Sequence, residues 1–138
     1  MYEFSPPIQL LGAFDRGVPN QERITFFVTE EANLASFLVI VGYQFHPGGA
    51  IPIDNGVFWF GNQNVDAGYT IFLYTGKGER RLTTVSGSNT PALVLHWGRD
   101  HTMFNDRNIV PMLLQLVGAQ VGSSPAVEQF KALSFPPS

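Results

Sequence analysis

Tyr69-Thr70-Ile71-Phe72-Leu73-Tyr74-Thr75, set between Gly68 and Gly76, decides the fold of this chain. Its bulky side chains fall into two alternating sets, Tyr69, Ile71 and Leu73 against Phe72 and Tyr74. A seven-residue run of period two with glycine at each end is short for a helix and reads as a central strand covered on both faces. The same pattern extends in both directions. Upstream, Ile24, Phe26 and Val28 alternate with Arg23, Thr25 and Thr29 as a half-buried strand. Phe37 to Val41 is a continuous apolar run before Gly42, suited to a strand buried on both sides, and Val57 to Phe60 is a short aromatic strand. Downstream, Gly76-Lys77-Gly78 reads as a hairpin-type turn into Glu79 to Val85, whose polar alternation suits a sheet edge. Ala92 to Trp97 places Leu93, Leu95 and Trp97 on one side. Ile109 to Val117 places Val110, Met112, Leu114 and Leu116 inward, and Pro111 restricts that strand to a start or an unpaired side.

Between these runs lie turn-formers. Residues 1–20 read as a loop-like, extended N-terminal segment, because Pro6, Pro7, Gly12, Gly17 and Pro19 interrupt any long element. His46-Pro47-Gly48-Gly49 and Pro52 to Gly56 read as an irregular connection. Ser124-Pro125 can open a short C-terminal helix through Ala126, Phe130 and Leu133, or the chain can end in a strand over Phe130 to Phe135. Seven or eight short strands about ten residues apart, with no helical period before residue 124, predict an all-β sandwich or barrel. The 138 residues fit one domain, with the sandwich over 22–122 and a tail over 123–138.

Composition narrows the class of function. The chain has 12 Phe, 4 Tyr and 2 Trp but only 14% charged residues, against roughly 25% in a typical soluble domain. So few charges leave apolar surface for a partner to cover, which favours self-association or binding to another protein. A net charge of -3 argues against nucleic acid as a partner. The absence of cysteine removes disulfides and thiolate metal sites. No basic, apolar leader opens the sequence and no run is long enough to span a bilayer, so a cytoplasmic protein without a membrane partner is expected.

Candidate chemistry is sparse. His96-Trp97-Gly98-Arg99-Asp100-His101 could bring two imidazoles to a carboxylate, but a separation of five is odd and puts strand residues on opposite faces. Gly76-Lys77-Gly78 lacks the longer glycine pattern and following helix of a phosphate loop. Lys77, Arg80 and Arg81, with Arg99, nonetheless form a candidate anion contact if the strands pair. Ser86-Gly87-Ser88 is a loop rather than a nucleophile elbow. Phe58-Trp59-Phe60 must split between two faces and could present an aromatic binding surface. No catalytic residue, metal ligand or cofactor site is assigned.

From Glu22 to Gly122 the order of features resembles the lamin-tail domain. The likeness rests on the step Asn33-Leu34-Ala35-Ser36-Phe37 into a buried strand and on Phe58-Trp59-Phe60 before Ala67-Gly68 and the strand from Tyr69. It rests also on Phe104-Asn105-Asp106 before Ile109 to Leu116. The family's Gly-Trp and Gly-Asp pairs are missing, and Ala67-Gly68 stands where the family has Pro-Gly. The resemblance implies an immunoglobulin-like sandwich and a non-enzymatic binding or scaffolding module, with no catalytic residues to transfer.

Two classes of function follow. The first is a non-catalytic β-domain that binds itself or another protein. The second is a small enzyme or ligand-binding protein with an aromatic and histidine pocket drawn from Trp59, Tyr69, His96, Trp97, Arg99 and His101.

Overall fold

The computed structural model describes residues 6–124 and is all-β. The strands are β1 (Ile8–Phe14), β2 (Arg23–Val28), β3 (Ala32–Asn33), β4 (Phe37–His46) and β5 (Gly49–Trp59). They continue with β6 (Asn64–Val65), β7 (Thr70–Tyr74), β8 (Arg81–Thr84), β9 (Pro91–His96) and β10 (Ile109–Gln115). One sheet has the order β1-β2-β7-β9-β8, a second the order β10-β4-β5, and β3 pairs with β6 in a short ladder. Among the described residues no helix is long and apolar enough to cross a membrane. The alternatives for residues 124–135 lie, from 125 onward, outside the described residues.

The alternation in the sequence explains the sandwich. Ile24, Phe26, Ile71, Leu73, Leu93 and Leu95 come from the five-stranded sheet and Phe37, Val39 and Val41 from the three-stranded one, all fully or almost fully buried in one cluster. Phe60 joins them, its ring 5.4 Å edge-on from Phe26. The Tyr69 to Thr75 run is central, as its two apolar faces require.

Four expectations are corrected. Ile8–Phe14 is an edge strand rather than a loop, because Pro6 and Pro7 precede it and Gly12, at φ +136°, sits at a bulge opposite Thr25. The irregular connection over 46–56 is instead a β4–β5 hairpin, whose register jumps between Ile40 and Gly42. Gly76-Lys77-Gly78 does not close a hairpin: β7 pairs in parallel with β9, and β8 lies beyond β9 at the sheet edge. In β10 it is Ile109 and Leu113 that pack on the core, so Val110, Met112 and Leu114 point away from it.

Glu22 ties the loops to this frame. Its carboxylate is 1% exposed and accepts four hydrogen bonds. The Thr75 hydroxyl and the Met103 N–H reach Oε1, each at 2.7 Å, while the Gly17 and Phe104 N–H groups reach Oε2 at 2.7 and 3.0 Å. A buried carboxylate is tolerable only when its lone pairs are filled in this way. The cluster holds the segments after β1, β7 and β9 against one another at one end of the sandwich.

Candidate functional site: an apolar sheet face

The three-stranded sheet has two unlike faces. Directly opposed residues of an antiparallel pair share a face, so Val39 with Leu113 and Phe58 point into the core. The alternate set faces outward in three rows: Leu114, Leu38, Trp59; Met112, Ile40, Val57; and Val110, Gly42, Pro52. All nine positions are uncharged and apolar. Trp59 and Val57 are each 55% exposed.

Two details fix this surface. The Trp59 indole N–H donates to the Ala35 carbonyl at 3.0 Å, which fixes the ring's position before any partner arrives. The Arg99 guanidinium donates to the Asn55 carbonyl at 2.6 Å and pins the irregular stretch of β5 beside Val57. Asn55 there has φ +58°.

Of the sequence candidates, Trp97, Arg99 and His101 line one open cleft, whereas Trp59, Tyr69 and His96 do not line it. Tyr69 packs against the core from the start of β7, and Trp97 does so with its ring 5.3 Å from Phe58. His101 is exposed, between two shallow clefts of about 310 and 470 Å³. His96 lines neither cleft. Its ring stacks on Tyr74 at 5.4 Å on the outer face of the five-stranded sheet, and Gly78 covers it so closely that a Cβ there would lie 2.3 Å from the ring. Among the described residues no group of three or more histidines and carboxylates could hold a metal ion.

The expected cationic cluster is dispersed. Lys77 pairs with Asp100 at 2.7 Å, with both side chains largely exposed. That hydrogen bond and the opposite charge hold the Asp100 carboxyl below its ordinary range and the Lys77 ammonium above its own. Arg80 donates to the Phe60 carbonyl at 2.5 Å and to Gln63 at 3.2 Å. Arg81 alone faces the outer side of the five-stranded sheet, lining a groove there.

Burial pushes the His96 imidazole below its usual range, the Arg81 charge adds to this, and the Gly76 carbonyl opposes it. Both ring nitrogens are shielded, and neither makes a hydrogen bond of good geometry. A histidine lowered in the native state takes its proton first in the unfolded chain. Stability is therefore expected to hold above about pH 6.5, the unfolded value, and to fall as the pH drops below it towards the lower native value. Urea midpoints measured between pH 7 and 5 should show this slope, and His96→Gln should flatten it while His101→Gln leaves it intact.

The sequence missed both Glu22 and the outward side of β10. Glu22 stands where any polar strand-starter stands, and in β10 both alternating sets are apolar, so periodicity gives no sidedness. No protein-family model, curated protein or solved structure matches the chain.

Proposed function

We propose that this chain is a non-catalytic binding or scaffolding β-domain that self-associates through the outer face of its three-stranded sheet. The observation that carries this reading is the three apolar rows from Leu114 to Pro52, which contain no charge. Such a contiguous apolar surface marks an interaction site. A second copy is the occupant the surface suits, because an uncharged apolar face can pair with itself in an isologous two-fold contact. A two-fold axis along β4 seats Trp59 of one copy over Met112 and Leu114 of the other. Trp59 is a pre-ordered aromatic anchor, which lowers the entropy lost on binding. The low charge and the lamin-tail resemblance support the same class of function.

Size sets the strength. Three strands about 4.8 Å apart and about 20 Å long give a footprint of roughly 300 Å², well under the roughly 800 Å² per partner of a standard interface. The association is therefore reversible, in the micromolar range.

Light scattering after size exclusion should show the mean mass rising from 15.2 kDa towards the dimer value as concentration increases. Val57→Glu buries an unpaired carboxylate in each copy and should raise the dissociation constant by about two orders of magnitude. Val57 is more than half exposed, so the variant keeps its fold. A strict monomer at about 100 μM, or a dimer indifferent to Val57→Glu, removes the proposal.

A further inference from the structure

The five-stranded sheet carries a second surface, independent of the apolar rows. Its outer face forms a groove of about 410 Å³, floored by Phe72, Tyr74 and Val94, with Arg23 on one wall and Arg81 and Thr83 on the other. Register explains the arrangement. Arg23 lies opposite Tyr74, Phe72 beside Val94, and Val94 opposite Arg81, so these side chains share one face across four strands.

The two arginines are in different states. Arg23 is paired with Asp15 at 2.5 Å, and its guanidinium stands 6.0 Å from the Phe72 ring centroid. Arg81 has no carboxylate partner among the described residues. It is exposed, and its charge is felt by His96, which stacks on Tyr74 at the same end of the face. The groove thus holds two guanidiniums and one carboxylate, one positive charge in excess, above an aromatic floor.

We propose that this groove binds an aromatic anion, a carboxylate or phosphate carried on a flat ring. A guanidinium fork matches either oxyanion in a bidentate pair, and Phe72 and Tyr74 offer the ring an offset or edge-on contact. Hydroxyls of Thr83, Thr84 and Ser86 border the same groove and supply further donors. The anion adds the one charge that the lining lacks.

The test is titration of the full chain, by calorimetry and by NMR of the His96 imidazole, with phenyl phosphate and benzoate. Acetate and inorganic phosphate serve as ring-free controls. At least one aromatic anion is expected to bind at sub-millimolar concentration, about tenfold or more tighter than its ring-free counterpart. Arg81→Gln should weaken it by about tenfold or more, whereas Lys77→Gln should leave it unchanged. The bound anion should also move the His96 titration to higher pH while the amide spectrum keeps its folded dispersion, which separates binding from unfolding, since unfolding raises the titration too. Thr83→Val is a second exposed-site variant expected to weaken binding. A capped peptide bearing phosphotyrosine separates the sources of the ring: tighter binding than phenyl phosphate assigns a peptide-borne ligand, equal or weaker binding a free small molecule. No binding of either at about 10 mM, equal binding of the ring-free anions, or indifference to Arg81→Gln overturns the proposal.

Discussion

Glu22→Gln should destabilise the folded chain by about 2–4 kcal/mol, nearly as much as Glu22→Ala. The reason lies in the donors around the carboxylate. The Thr75 hydroxyl can rotate, but the Gly17, Met103 and Phe104 N–H groups are backbone and cannot turn away. An amide in place of the carboxylate presents NH2 to one pair of these donors. A donor then faces a donor at a site only 1% exposed. Alanine leaves all of them unpaired, at about 1–3 kcal/mol each before relaxation or entry of water. Whole domains are stable by only about 5–15 kcal/mol, so either change should lower the urea midpoint by about 1 M or more. A Glu22→Gln variant within about 0.5 kcal/mol of the parent would mean that those N–H groups have other acceptors.

Gly42→Ala is the second large effect, expected at about 2–3 kcal/mol and a fall in melting temperature of about 5–10 °C. A Cβ at Gly42 would lie 2.7 Å from the Ile51 carbonyl oxygen, 3.0 Å from its carbon and 3.1 Å from Met112 Cε. The methionine can swing aside. The carbonyl cannot, because it belongs to the paired strand at the point where the β4–β5 register shifts. Gly42 does not have a left-handed backbone, so the cost comes from the close approach of the two strands alone. Gly49→Ala is the control: nothing lies within 4 Å of its Cβ position, and its effect should stay within about 0.5 kcal/mol. Calorimetry on the three proteins separates crowding from a general penalty for replacing glycine.

Much of the architecture is legible in the chain because alternation is a local property. Tyr69 to Thr75, Arg23 to Val28 and Ala92 to Trp97 announce themselves within their own few residues. Three other features depend on partners far away in sequence. Glu22 looks like an ordinary polar residue until Met103 and Phe104, 81 and 82 positions later, close on it. Lys77, Arg80, Arg81 and Arg99 look like one patch, but Lys77, Arg80 and Arg99 each take a partner from whatever segment folds beside them, and Arg81 turns to the outer face of the five-stranded sheet. The parallel pairing of β7 with β9 cannot be read from a glycine turn, since nothing local says that the next strand will be passed over. β10 fails for another reason: with Val110, Met112 and Leu114 as apolar as Ile109 and Leu113, the sequence marks no inside. That ambiguity is itself the mark of the candidate surface, where a second apolar face remains after the core is filled.

The slot that β9 occupies has a consequence in time. β7 and β8 flank it, yet β9 is made after both, and β10 reaches back to β4 so that Gln115 meets Phe37. During synthesis at about 5–20 residues per second, the first 84 residues can complete neither large sheet. Closure waits for the last strands and pairs segments distant in the chain, which makes folding slow for the domain's size. For some seconds of every synthesis the inner faces of β2, β4 and β7 and the vacant slot are open to other nascent chains, an exposure that ends only when β9 and β10 arrive.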